Sequence, residues 1–309
     1  MNVLMIGNVP RETQTMIAAV FPKDWRIHFT LPRDAEPFLS EAEALIPEHV
    51  RVDERFLDGA PKLCMIQTGA GYDNIDLAAC TRHGVRVCNA AGINAAAVAE
   101  HALALILCWH KNIALLDGFM KKSVPEPLPA YRGAELDGKT VGIVGMGRIG
   151  SRLASACRAL GMTVLGCGRR LFDPALGEQT GLEDLLWRAD IVSIHLPLND
   201  ETRHSFGAAQ FAMMKPGALF VNVSRGALAD EAALIGTLRS GHLGGACLDV
   251  YEQEPLAWDS PLRMFENVLL TPHTAGLPDA PKFHRRRFEF FAANIARFFR
   301  GEKPENMLN

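Results

Sequence analysis

Nine short apolar runs punctuate the chain, and stretches with helical spacing separate most of them. The runs are Asn2–Gly7, Lys62–Thr68, Val85–Ala90, Thr140–Gly145, Thr163–Gly168, Asp190–Leu196, Ala218–Ser224, Gly245–Val250 and Asn267–Pro272. Between them lie patterns such as RIGSRLASACRAL and DEAALIGTLRSG. Strands that are apolar without clear alternation are buried on both faces, and helices spaced between them supply the cover. That combination predicts a doubly wound α/β protein with parallel sheets.

A boundary is expected near residue 95. The βα units before it end at NAAGINA, and a long apolar helix follows from Ala95 to about His110. A Pro-rich loop, VPEPLPAYRG, comes next, and a second set of βα units opens at Lys139. The last stretch, DAPKFHRRRFEFFAANIARFFRG, reads as one long helix with Phe at helical intervals. Its HRRR segment, His284–Arg287, reads as the solvated face of that helix. A chain of 309 residues is long for one core and suits two domains.

The run VGIVGMGRIG passes from a strand through Gly145, Gly147 and Gly150 into a helix. Gly145 permits the tight turn, Gly147 admits a pyrophosphate close to the backbone, and Gly150 lets helix and strand pack closely. Together with Arg148 and Ile149 they form a dinucleotide cradle, with the helix N-terminus aimed at the phosphates. The next strand ends at Gly168, where an acid holding the NAD ribose is expected. Without that acid a 2′-phosphate is not repelled, and Arg169 and Arg170 supply donors that suit phosphate oxygens. NADP(H) is therefore the favoured cofactor, with NAD(H) the alternative.

The net charge of −3 gives no electrostatic case for nucleic acid or an anionic membrane. Seven cysteines stand singly, without a Cys-x-x-Cys pair, as suits reduced core thiols in a cytoplasmic protein rather than disulfides or a metal site. No secretory signal is read at the N-terminus, which enters NVLMIG directly.

Three further stretches place a polar residue just past an apolar strand: FVNVSRGALAD, CLDVYEQEPL and LLTPHTAG. They offer Arg225, Glu254 and His273. An arginine can clamp a carboxylate, a histidine titrates near neutrality, and a carboxylate beside it would fix its ring. Spacing alone does not bring the three together.

These stretches, with GAGYDNID, VAEHALALIL, GKTVGIVGMGRIG, HLPL and MKPGALFVNVSRG, resemble the D-2-hydroxyacid dehydrogenase family over almost the whole chain. The pattern is most similar to glyoxylate/hydroxypyruvate reductases. The resemblance implies a Rossmann cofactor domain, 96–279, inserted in a flavodoxin-like substrate domain, 1–95 plus 280–309. It further implies that Arg225 binds the carboxylate and carbonyl of a 2-keto acid, that His273 exchanges the proton, and that Glu254 holds His273 protonated. Backbone N–H groups of Ala70 and Gly71 would hold the carboxylate across a cleft whose closure excludes water. His195, Pro197, Thr202, Val223 and Ser224 would line the cofactor, and Asp249 would contact the nicotinamide carboxamide. A homodimer is implied, with the helix after residue 95 at or near its interface.

Other polar residues receive blander roles. His101 reads as a packed helix histidine, Asp73 and Asn74 as turn formers, and His204 has no assigned role. Glu254 argues against a formate dehydrogenase, which resembles this pattern but carries glutamine there. Ala70, where a phosphite dehydrogenase has lysine, weakens that activity. No lysine or arginine stands in QTGAGYDN to meet a phosphorylated substrate, although Arg51 and Arg55 are within the same domain. Glyoxylate, hydroxypyruvate or a close relative is thus expected. A phosphoglycerate-type enzyme using NAD is the alternative, and a dinucleotide-sensing corepressor the rival of another class.

Overall fold

The computed structural model describes residues 1–48, 50–121, 133–277 and 281–309. The expected Pro-rich loop lies outside the described residues apart from its last residue, Gly133. The chain divides into two compact units, Met1–Asn94 with Pro278–Asn309, and Ala95–Leu277.

The first unit is built on β1 (Asn2–Ile6), β2 (Arg26–Thr30), β3 (Ala44–Pro47), β4 (Met65–Gln67) and β5 (Arg86–Cys88). All pair in parallel in the order β2-β1-β3-β4-β5. Alternate residues feed opposite faces, as the two-residue period of a strand requires. Leu4, Ile6, Leu45, Ile66 and Val87 enter one core, while Val3, Met5, Ala44, Ile46 and Met65 enter the other. The second core is closed by the C-terminal helix Pro281–Phe299, through Phe288, Phe291 and Ile295.

That helix corrects one reading. Arg285 and Arg286 are exposed, but Arg287 is buried. Its guanidinium pairs with Glu48 and lies over the rings of Phe288 and Phe291, 5.3 and 5.1 Å from their centroids. A charge is tolerated there because a carboxylate and two aromatic faces replace its water.

The second unit carries β6 (Thr140–Val144), β7 (Thr163–Cys167), β8 (Glu178–Gln179), β9 (Ile191–Ile194), β10 (Leu219–Asn222), β11 (Gly245–Leu248) and β12 (Val268–Leu270). These form one parallel sheet in the order β12-β11-β10-β9-β6-β7-β8. Both faces are again apolar: Val144, Val192, Ile194 and Phe220 fill one, and Val141, Ile143, Ile191 and Val221 the other. Full burial of each such side chain contributes about 1.5–3 kcal/mol. On the second face lies the helix Ala95–His110, which buries Val98, Ala99, Ala102, Leu105 and Ile106 at helical spacing. Among the described residues no single helix is long and apolar enough to cross a membrane.

The sheet register decides where chemistry can sit. Leu270, Leu248, Asn222, Ile194, Val144 and Cys167 lie in one row across six strands. The residues that follow them therefore emerge along a single C-terminal edge. The strand order reverses between β9 and β6, a topological switch point and the usual place for a ligand in such a sheet.

Candidate active site

At the switch point, β6 runs into Gly145, whose φ of 103° is open to glycine and strained for other residues. A side chain there would also strike the His195 carbonyl oxygen, 2.5 Å from the position of a Cβ. Gly150 is packed so closely that its Cβ would stand 2.2 Å from the Gly145 oxygen. Gly147 is different: nothing lies within 4 Å of its Cβ position. It begins the helix Arg148–Ala159, and no side chain among the described residues caps that N-terminus. Tight turn, open approach and uncapped helix end together fit a dinucleotide pyrophosphate.

Neighbouring β7 ends beside this loop, since Gly168 would place a Cβ 3.7 Å from the Met146 nitrogen. Arg169 and Arg170 follow, both exposed. Arg148 is exposed and Ile149 half-buried. Across the switch point, the Ser224 hydroxyl donates to the Ile194 carbonyl at 2.9 Å, tying the end of β10 to that of β9, and Val223 is buried. Thr202 Oγ1 donates to the Pro197 carbonyl at 2.7 Å, closing the turn after β9.

His195 sits at the end of β9 with Nε2 2.9 Å from Ser193 Oγ. Burial pushes its pKa down to about 4, so the ring is neutral at physiological pH. An unfolded histidine titrates near 6.5, so the unfolded chain binds more protons between the two values, and stability falls as pH drops through that window. His195→Gln should remove this contribution. The expected result is a shallower loss of Tm between pH 6.5 and 4 than in the unaltered chain, and parallel Tm profiles would refute the buried neutral ring.

The second half of the edge carries the three candidate catalytic residues. Arg225 follows β10; Asn222 holds the turn, donating from Nδ2 to the Arg225 carbonyl at 2.9 Å and accepting at Oδ1 from the Ser224 N–H at 3.0 Å. After β11, Glu254 accepts from the Tyr251 N–H at 3.1 Å, and its other oxygen lies 2.6 Å from His273 Nδ1. Burial alone would raise the Glu254 pKa, but the hydrogen bonds from His273 and the Tyr251 N–H, with the charges of His273 and Arg225, outweigh it and hold it below the usual carboxylate range. An ionised carboxylate only accepts, so His273 Nδ1 carries the hydrogen of this contact.

His273 has φ 54°, a left-handed conformation that costs an ordinary residue roughly 1–2 kcal/mol. Its N–H is held by the Asp249 carbonyl at 2.7 Å. The Asp249 side chain is fully buried and organises the same loop: Oδ1 accepts from Thr271 Oγ1 at 2.6 Å and the Thr274 N–H at 2.9 Å, and Oδ2 accepts from the Ala275 N–H at 2.9 Å. The Tyr251 hydroxyl lies 2.9 Å from the Thr271 carbonyl, linking the ends of β11 and β12.

Gly226 explains how Arg225 and Glu254 come together. A Cβ there would stand 1.9 Å from the Tyr251 carbonyl carbon and 2.4 Å from the Glu252 nitrogen. The two loops touch backbone to backbone, a constraint that composition and spacing did not expose. His101 does more than pack in its helix: its Nε2 is 3.0 Å from Thr271 Oγ1 and 3.6 Å from Asp249. His204 pairs with Glu252 at 2.9 Å.

In the first unit, Ala70 and Gly71 lie in the loop after β4. The Gly69 carbonyl accepts from the Ala90 N–H at 2.9 Å, and the Ala70 carbonyl from Asn89 Nδ2 at 2.9 Å. In a trans peptide the N–H points opposite to the C=O, so the N–H groups of Ala70 and Gly71 both turn away from these internal donors. Asn74 shapes the following turn, donating to the Val50 carbonyl.

A glycine-lined cradle, with an arginine and a Glu–His pair on the same sheet edge, defines a nucleotide-dependent oxidoreductase. Residues 103–275 match the family profile "D-isomer specific 2-hydroxyacid dehydrogenase, NAD binding domain". A glyoxylate reductase of Aeropyrum pernix is 42% identical over 272 residues, which are 84% of this chain and 80% of that one. Among solved structures, D-lactate dehydrogenase from Aquifex aeolicus, complexed with NAD and lactic acid, has a TM-score of 0.86 at 29% identity and covers 97% of this chain and 96% of its own. An acyclic imino acid reductase (Bsp5) in complex with NADPH and D-Arg has a TM-score of 0.86 at 26% identity, covering all of both chains. The chain belongs to the D-2-hydroxyacid dehydrogenase family and is an NAD(P)-dependent enzyme.

Proposed function

We propose that the enzyme reduces a small, unphosphorylated 2-keto acid, glyoxylate or hydroxypyruvate, with NADPH. The observation that carries the chemistry is the 2.6 Å contact between Glu254 and His273, on the same sheet edge as Arg225 and the glycine cradle. When bound, the reduced nicotinamide supplies the hydride that adds to C2 of the keto acid. Arg225 binds and orients the carboxylate and carbonyl. His273, protonated on both nitrogens, gives its Nε2 proton to the carbonyl oxygen, while Glu254 stabilises the imidazolium through Nδ1. Oxidation of the D-2-hydroxy acid runs the same transfer in reverse. The Ala70 and Gly71 N–H pair serves as a carboxylate subsite.

The preference for NADPH rests on Gly168, Arg169 and Arg170. Charge-assisted hydrogen bonds contribute about 1.5–3 kcal/mol, so Arg169→Ala should raise KM for NADPH roughly 10- to 100-fold and leave that for NADH nearly unchanged. Initial rates with both nucleotides against glyoxylate and hydroxypyruvate test the reading. Equal use of NADH and NADPH by the unaltered enzyme would sink the cofactor assignment and leave the dehydrogenase standing. Absence of turnover with every 2-keto acid would remove the substrate assignment as well.

A cytoplasmic homodimer completes the proposal. The helix Ile113–Met120, which follows the long helix, exposes Ile113, Leu115 and Met120, a surface suited to a second copy. A monomer in sedimentation equilibrium would remove that part.

A further inference from the structure

We propose that His101 is a positioning residue for His273, acting through a directed hydrogen-bond chain, His101 to Thr271 to Asp249. The proposal rests on the reading of His273 as the proton donor.

The direction of the chain follows from counting hydrogens. Thr271 Oγ1 lies 2.6 Å from Asp249 Oδ1, which accepts, so the only hydroxyl hydrogen of Thr271 is committed there. His101 Nε2 stands 3.0 Å from the same Oγ1. That oxygen has lone pairs left and no hydrogen, so Nε2 must carry one and donate it. The imidazole thereby fixes the hydroxyl rotor, and the hydroxyl supports the buried carboxylate.

Asp249 then passes the constraint to the catalytic loop by three backbone contacts. Its side chain accepts from the N–H groups of Thr274 and Ala275, and its carbonyl accepts from the His273 N–H. The left-handed backbone of His273 is thus enclosed by bonds from one aspartate on both sides. His101 anchors that aspartate to the helix Ala95–His110, which is packed in the sheet core through Val98, Ala102, Leu105 and Ile106. A rigid helix therefore sets the angle at which a strained loop presents Nε2 of His273.

The test uses the full chain, with glyoxylate and its preferred nucleotide. His101→Leu should lower kcat roughly 10- to 100-fold, the order expected when a reacting group is misplaced by a fraction of an ångström to 1 Å. The primary isotope effect with nucleotide deuterated at the transferred position should rise, because chemistry has become slower than product release. His101→Gln keeps an N–H donor near the reach of Nε2 and should restore most of kcat. Thr271→Val cuts the same chain, and the double variant should be no slower than the slower single one.

Unchanged kcat in His101→Leu, while the unaltered enzyme turns over, would overturn the proposal alone. Glutamine as damaging as leucine would also overturn it, as would losses from His101→Leu and Thr271→Val that multiply. No turnover by the unaltered chain would instead overturn the assignment of His273, and the proposal with it.

Discussion

His273→Gln is expected to lower kcat for 2-keto acid reduction by about 10²–10⁴-fold, the range that a positioned general acid supplies. Glutamine can still hydrogen-bond Glu254, so the local fold should hold. It cannot carry a transferable proton at neutral pH. Glu254, held ionised by His273, the Tyr251 N–H and the charge of Arg225, would remain in place with no imidazolium to stabilise. The nucleotide dissociation constant should change little, because the cradle of Gly145–Gly150 is formed by a different part of the edge. Stopped-flow reduction together with nucleotide titration would separate the two effects. A loss of less than tenfold in the chemical step would mean that another group donates the proton.

A second large effect is expected from one methyl group. Gly226→Ala would place a Cβ 1.9 Å from the Tyr251 carbonyl carbon and 2.0 Å from its oxygen. Those are backbone atoms, so a side-chain rotation cannot relieve the clash. Overpacking of this kind costs typically 1–3 kcal/mol. The larger consequence is geometric, because the clash separates the loop carrying Arg225 from the loop carrying Glu254. Since a 1 Å displacement can cost about 10²-fold in rate, kcat/KM should fall by that order even in enzyme that remains folded. Urea unfolding and steady-state kinetics on the same preparation would check both halves. Full activity in a folded Gly226→Ala variant would show that the loops can separate without harm.

Much of this was legible in the sequence. Burial of both sheet faces removes alternation from the strands, so apolar runs with intervening helices already announced two parallel sheets. The glycine cradle was readable because each glycine answers a local demand: a positive φ at Gly145, an open approach at Gly147, a close packing at Gly150. Strands β2, β3 and β8 were not anticipated. RIHFT at the sheet edge has polar, exposed positions, β3 is four residues ending in proline, and β8 is only two residues long.

The sequence by itself determined the order of elements and the types of residue at the strand ends, because period, turn chemistry and side-chain identity are local properties. Only the tertiary structure decided which of them meet. Register across six strands put Arg225, Glu254 and His273 on one edge, and the backbone contact at Gly226 brought two of their loops together. Arg287 joined Glu48 across 239 positions, and His101 reached Thr271 across 170. Such pairings depend on how helices lie against sheets, and no window of sequence contains both partners.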